Sequence, residues 1–151
     1  MSLRYHYDLE QVHNPVLALG GRYVRPRPLS PIAIVGPAGT SLREALLDTG
    51  ADDTVFREAV ATAIGLDLTN APQGSGSGVG LGPVLLRFAE VTLRLATDQE
   101  QREWKAWVGF TPAKLRFAVL GFAGCLQYFD ALFRGGLEEV ELTVNDLYPG
   151  T

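Results

Sequence analysis

The sequence predicts an all-β domain, a single-lobe barrel or folded sheet carrying one or two short helices. Glycine and proline, 17 and 9 of 151 residues, gather in clusters that cut the chain into short segments. The segments between clusters are short apolar runs or alternate apolar with polar residues, as strands do. Helical periodicity with helix-forming residues is confined to residues 57–64, with a shorter suggestion at 123–129. No internal repeat is visible, so the chain does not read as two similar halves.

Taken in order, residues 1–14 are polar and aromatic, and the weak alternation of Leu3, Tyr5 and Tyr7 suggests an edge strand or a terminal arm. Arg22, Arg25 and Arg27 lie among Pro26 and Pro28 and read as an exposed connector. Residues 32–35 form an apolar strand, 36–39 a Gly-Pro turn and 42–48 a returning strand, which together make a hairpin. The helix at 57–64 stops at Gly65, a residue suited to a helix C-terminus. Residues 72–83 contain five glycines and read as a flexible loop on composition alone. Residues 84–95 form a long apolar strand whose phase slips near Ala89 and Glu90, which predicts a β-bulge. Its partner is 104–110, where the odd spacing of Trp104 and Trp107 puts one indole inside and one outside. A short buried strand at 117–120 ends at Gly121, 130–133 is strand-like, and the chain from Val140 to Val144 alternates as a half-buried strand.

A chain of this length can bury a core of its own, and its composition, 46% hydrophobic and 20% charged, is that of a folded domain. A formal charge of −4 argues against an extended nucleic-acid surface, so no nucleic-acid partner is expected. A single cysteine, Cys125, cannot form an intrachain disulfide; on its apolar stretch it reads as a small core residue. The N-terminal residues lack the apolar run of a secretory leader, and the most apolar stretch, 117–133, is interrupted by Gln127 and Asp130. That stretch falls short of the ~20 apolar residues of a membrane-spanning helix. The expectation is a cytoplasmic protein without a membrane partner. His6 and His13 read as surface residues, and nothing near them completes a zinc set. Asp48, Asp52 and Asp53 form an acidic group with no phosphate loop or second acidic cluster, so neither metal nor cofactor is expected.

The chemistry-bearing stretch is Ala45-Leu46-Leu47-Asp48-Thr49-Gly50-Ala51-Asp52-Asp53-Thr54-Val55-Phe56. An apolar strand runs straight into a carboxylate and then into Thr-Gly, where glycine permits a tight turn and close backbone approach. A carboxylate at the end of a buried strand costs desolvation free energy unless hydrogen bonds offset it. Thr49 and the amides near Gly50 are the candidate donors. Asp-Thr-Gly alone is weak, arising by chance in roughly one chain of this length in thirty. The apolar lead-in and the Ala-Asp-Asp-Thr-Val tail make it specific: the whole stretch closely resembles the active-site segment of retroviral aspartic proteases, the retropepsins. A second segment, Ala118-Val119-Leu120-Gly121 followed by residues 122–128, resembles the apolar strand, Leu-Gly and short helix that the family carries late in the domain.

That resemblance extends over roughly residues 30–145. It implies a retropepsin-like barrel at 30–147, flanked by an N-terminal extension at 1–29 and a tail at 148–151. It implies an aspartic endopeptidase working as a homodimer, since one Asp-Thr-Gly supplies half of a carboxylate pair, with Asp48 as the catalytic residue. Thr49 would then hydrogen-bond across the two-fold axis. Gly50 and Ala51 would meet the substrate backbone, and Asp52 and Asp53 would line the groove with Leu120 and Gly121. Residues 74–82, among them Gly76, Gly78 and Gly80, would form a flap over an extended peptide or unfolded protein segment.

One departure stands out. Retropepsins often carry an arginine directly after the second Leu-Gly, paired with the acidic residue near the active site, and here Phe122 occupies that place. Arg43, Arg57 or Arg116 would have to replace it as the partner of Asp52. This departure, the long glycine-rich loop and the unplaced N-terminal segment motivate an alternative of another class: a retropepsin-like domain that binds peptide or dimerises without hydrolysis. A third arrangement is a monomer whose site a different protein completes.

Overall fold

A computed structural model describes residues 1–78 and 81–151. Strands dominate, as expected, and six of them close on themselves. Following hydrogen-bonded neighbours, the ring runs β4 (Leu29–Gly36), β5 (Gly39–Leu47), β10 (Ala118–Leu120), β6 (Val55–Arg57), β9 (Gln101–Thr111) and β8 (Leu81–Ala96), and β8 pairs back onto β4. Closure leaves no open edge around this ring. β7 (Gln73–Gly78) extends it as a hairpin with β8, in one register from Gln73 opposite Arg87 to Gly76 opposite Val84 and shifted by one residue at Gly78 opposite Leu81. The helix α1 (Glu58–Ala63) follows β6, and Gly65 takes the left-handed conformation, φ 81°, just beyond its end.

Alternating residues of the barrel strands point into one core. Ile32, Ile34, Ala45, Leu47 and Phe56 meet Leu93, Leu95, Trp104, Val108 and Leu120 there, all buried. A second sheet of β1 (Leu3–His6), β12 (Glu139–Val144) and β11 (Phe129–Arg134), in that order, packs on the same core through Leu3, Tyr5, Val140 and Leu142. The Tyr5 hydroxyl donates to the Ala96 carbonyl at 3.1 Å and ties this sheet to the end of β8. Trp104, Phe129 and Tyr148 pack mutually, with ring centroids 5.3 to 6.0 Å apart. Trp107, on the other face of β9, is exposed.

The remaining N-terminal residues form a two-stranded ribbon, β2 (Asp8–Val16) with β3 (Arg22–Arg27), that pairs with no strand of either sheet among the described residues. Arg22, Arg25 and Arg27, expected in a connector, thus lie on a strand; Pro26 is tolerated because such a ribbon has free edges. Glu10 holds the ribbon in place by accepting from Arg27 at 2.9 Å and Arg116 at 2.7 Å. A short 3-10 turn at Leu126–Tyr128 stands where the second short helix was expected.

The bulge expected near Ala89 and Glu90 is absent. The β8–β9 ladder runs without a register shift from Arg87 opposite Phe110 to Ala96 opposite Gln101. The apolar phase changes because two halves of one strand are covered on opposite faces. Val91, Leu93 and Leu95 point into the barrel, while Leu86 packs on the other face near Gly76 and Gly109.

Candidate active site

The Asp-Thr-Gly segment is the turn that leaves the C-terminal end of β5. Its position is set by β10, which inserts beside β5 in parallel register with Ala118 opposite Ala45 and Leu120 opposite Leu47. β10 also pairs antiparallel with β6 through Val119 and Val55. The two sequence motifs, more than sixty residues apart in the chain, thereby lie side by side. The Asp48 amide donates to the Leu120 carbonyl at 3.1 Å, which continues the ladder one residue into the turn. Beyond it, the amides of Phe122 and Ala123 donate to the carbonyls of Ala51 and Asp52 at 2.9 and 2.8 Å.

Gly121 is required by this contact. A methyl group built on it would lie 2.2 Å from the Asp53 carbonyl oxygen and 2.8 Å from that of Ala51. Leu120 is fully buried in the core beneath, so Leu-Gly combines an apolar anchor with a close backbone approach.

The turn is ordered from within as well. The Asp48 Oδ1 accepts the Gly50 amide at 2.9 Å, and the Ala51 amide donates to the Asp48 carbonyl at 3.2 Å. The donor expected from the sequence is therefore the Gly50 amide; the Thr49 hydroxyl makes no hydrogen bond among the described residues. Asp48 is half-buried, whereas Thr49 and Gly50 are exposed at the tip. The second carboxylate oxygen of Asp48 has no protein partner among the described residues.

Thr54 is a further structural residue of the site, and the sequence reading did not single it out. It is fully buried; its hydroxyl and its amide both donate to the Ala123 carbonyl, at 2.9 and 3.2 Å, and its carbonyl accepts the Gly109 amide at 2.9 Å. The one available signal was a β-branched polar residue between an acidic turn and an apolar strand. On the far side, the Trp104 indole donates to the Gly124 carbonyl at 2.8 Å, and the Gln127 side chain accepts the Gly124 amide at 2.7 Å.

The acidic residues after the turn diverge. Asp53 is partly buried and its backbone bridges to Ala123; burial, and secondarily the charge of Asp52, raise its carboxyl above the usual aspartate value. Asp52 is exposed, and neither Arg43, Arg57 nor Arg116 pairs with it among the described residues; Arg116 is held by Glu10 instead. Phe122, which stands in the place of the family's arginine, is 61% exposed. Among the expected flap residues, Gly76 and Gly78 lie on β7, where a methyl on Gly76 would meet Leu86 at 3.3 Å, while Gly80 lies outside the described residues. Among the described residues, no group of acidic, histidine or cysteine side chains is placed to hold a metal ion.

No protein-family model and no curated protein sequence matches the chain. Among solved structures, the chain is similar to the EIAV protease complexed with the inhibitor HBY-793. The two are 19% identical, with a TM-score of 0.39, over 63% of this chain and 81% of that one. No helix among the described residues is long and apolar enough to cross a membrane.

Proposed function

We propose that this chain is one half of an aspartic endopeptidase, completed by a second copy whose Asp48 meets its own across a two-fold axis. The observation that carries the reading is the build of the Asp48 turn. Its backbone is pinned to Leu120 and Phe122, one carboxylate oxygen is held by the Gly50 amide, and the other has no protein partner among the described residues. Preorganisation of this kind suits a carboxylate that must hold a water molecule in a fixed place.

Two such carboxylates at close range cannot both ionise comfortably, so the pair shares a proton and titrates as a unit. The ionised member takes a proton from water as its oxygen attacks the scissile carbonyl carbon. The protonated member donates to the carbonyl oxygen. Collapse of the resulting diol passes a proton to the amide nitrogen and breaks the C–N bond, giving a carboxylic acid and an amine. Thr49 and Gly50 at the exposed tip are where a symmetric copy would meet the turn, and Phe122 supplies an exposed apolar ring at the same rim. The β7–β8 hairpin acts as the flap over an extended peptide, with Ala51, Asp52, Asp53 and the Leu120-Gly121 edge along the groove.

The test is incubation of a diverse peptide library with the wild type and with Asp48→Asn across acidic to neutral pH, read by mass spectrometry. The asparagine keeps the acceptor for the Gly50 amide, so the variant folds and dimerises while cleavage disappears. Undiminished turnover in the variant overturns the assignment. No cleavage by a protein confirmed as a dimer favours the non-hydrolytic peptide-binding domain, for which the supporting observation is that Asp52 has no arginine partner among the described residues.

A further inference from the structure

A second site lies on the barrel away from Asp48. A cleft of about 330 Å³ opens where β5, the segment before β10 and the start of α1 converge. Arg43 and Glu44 form one wall, Arg57 and Val60 another, and Arg116 and Phe117 close it. Arg43 precedes Asp48 by five residues along an extended strand, which separates the two sites by roughly 16 Å.

Its charge pattern is unusual for this chain. Among the described residues, Arg25, Arg43 and Arg57 are the only arginines with no carboxylate within ion-pair distance, and two of these three line the same cleft. Arg43 makes only a bond to the neighbouring Leu42 carbonyl, at 3.2 Å. Arg116 is immobilised, with Glu10 at 2.7 Å on one side and its guanidinium carbon 4.9 Å from the centre of the Phe117 ring on the other. Glu10, with Asp8 at longer range, offsets Arg116, which leaves Arg43 and Arg57 with Glu44 as the one carboxylate lining the cleft. Below the charges the lining is apolar, with Val60 buried and Phe117 half-buried.

We propose that this cleft binds a monocarboxylate attached to a small apolar body. The carboxylate would take the forked donors of Arg43 and Arg57, which match its geometry, and the apolar body would lie on Phe117 and Val60. The volume sits at the lower end of the ~300–1,000 Å³ range of ligand pockets, which limits the occupant to a small acid or the last residue of a peptide. A bare inorganic anion leaves the apolar lining uncovered and binds more weakly.

Titration of the full-length protein with phenylacetate, followed by NMR on the Val60 methyl groups and the Phe117 ring, tests this. Saturable shifts at those groups are expected. The neutral analogue 2-phenylethanol and inorganic phosphate should each bind at least about tenfold more weakly, and the double variant Arg43→Gln/Arg57→Gln should lose at least about tenfold in phenylacetate affinity. Both arginines are exposed, and Arg57→Lys, which keeps the charge without the fork, should fall between. N-acetyl-glycyl-phenylalanine and its C-terminal amide separate the sources: binding of the free acid assigns a peptide C-terminus, and binding of phenylacetate alone assigns a small organic acid. Absence of saturable shifts, equal binding of 2-phenylethanol or phosphate, or unchanged affinity in the double variant overturns the proposal. Asp48→Asn should bind phenylacetate as the wild type does, so the result stands apart from the peptidase assignment.

Discussion

Replacement of Gly121 by alanine tests the contact that joins the two motifs. The added methyl group would lie 2.2 Å from the Asp53 carbonyl oxygen, 2.7 Å from its carbon and 2.8 Å from the Ala51 carbonyl oxygen. All three neighbours are backbone atoms, so no side-chain rotation relieves the overlap and the two loops must separate. Overpacking of this kind costs about 1–3 kcal/mol. Separation also weakens the Phe122–Ala51 and Ala123–Asp52 hydrogen bonds, each worth about 1 kcal/mol. The expected loss is therefore about 3–5 kcal/mol, or roughly 6–20 °C in Tm for a domain of this size. Urea denaturation followed by the fluorescence of Trp104 and Trp107, with calorimetry alongside, measures it. Gly150→Ala is the control. A methyl there would lie 1.9 Å from the Glu103 carbonyl oxygen, yet the segment after Tyr148 lies on β9 through the paired Thr151–Glu103 hydrogen bonds and relieves the overlap by giving them up. That variant should lose no more than about 2 kcal/mol, the worth of the two Thr151–Glu103 hydrogen bonds. A loss below about 1 kcal/mol for Gly121→Ala, or equal losses for both variants, would refute the reasoning.

Phe122→Asp places a charge at the rim where the second copy is proposed to sit, and sedimentation should show a shift from dimer toward monomer with little change in the unfolding midpoint of the monomer. Burial pushes the Cys125 thiol up to about 12, so the native protein should resist a thiol reagent at pH 8 and react at once in denaturant. Burial likewise takes Tyr5 to about 12; both groups are raised above their unfolded values, so their stabilisation is complete below about pH 8.5 and is lost as pH rises through about 12. Alkaline unfolding monitored by circular dichroism should start in that window. At the acid end, hydrogen bonds from Arg116 and Arg27 hold Glu10 below its usual value, and Arg22 does the same for Glu138. These depressed carboxylates stabilise above about pH 4.3 and release as pH falls further, so amide exchange in the β2–β3 ribbon should quicken there before that of the barrel.

Much of the barrel was legible because strand pairing leaves a local trace. Gly36-Pro37-Ala38-Gly39 reads directly as the turn between β4 and β5, and Gly36 does pair with Gly39. Alternation in Leu3, Tyr5 and Tyr7 left an edge strand or a terminal arm open, and Leu3–His6 is an edge strand; the odd spacing of the two tryptophans placed one inside and one outside. The β2–β3 ribbon left a weaker trace, since it buries little and its prolines favour a loop on composition. The slip at Ala89 misled because one strand changes the face it buries partway along, which imitates an inserted residue in a linear pattern.

The sequence by itself determined that the domain is built of strands, that one of its two tryptophans is buried, and that Asp48 stands at the end of an apolar strand. These follow from side-chain period and turn chemistry, properties carried by neighbours in the chain. Only the tertiary structure decided what surrounds that carboxylate. The insertion of β10 between β5 and β6, the approach of Gly121 to the Asp53 carbonyl and the gathering of Arg43, Arg57 and Arg116 around one cleft all join segments far apart in sequence. Such contacts arise from barrel closure, which chooses neighbours by register and packing across the whole domain and leaves no period in the chain to read.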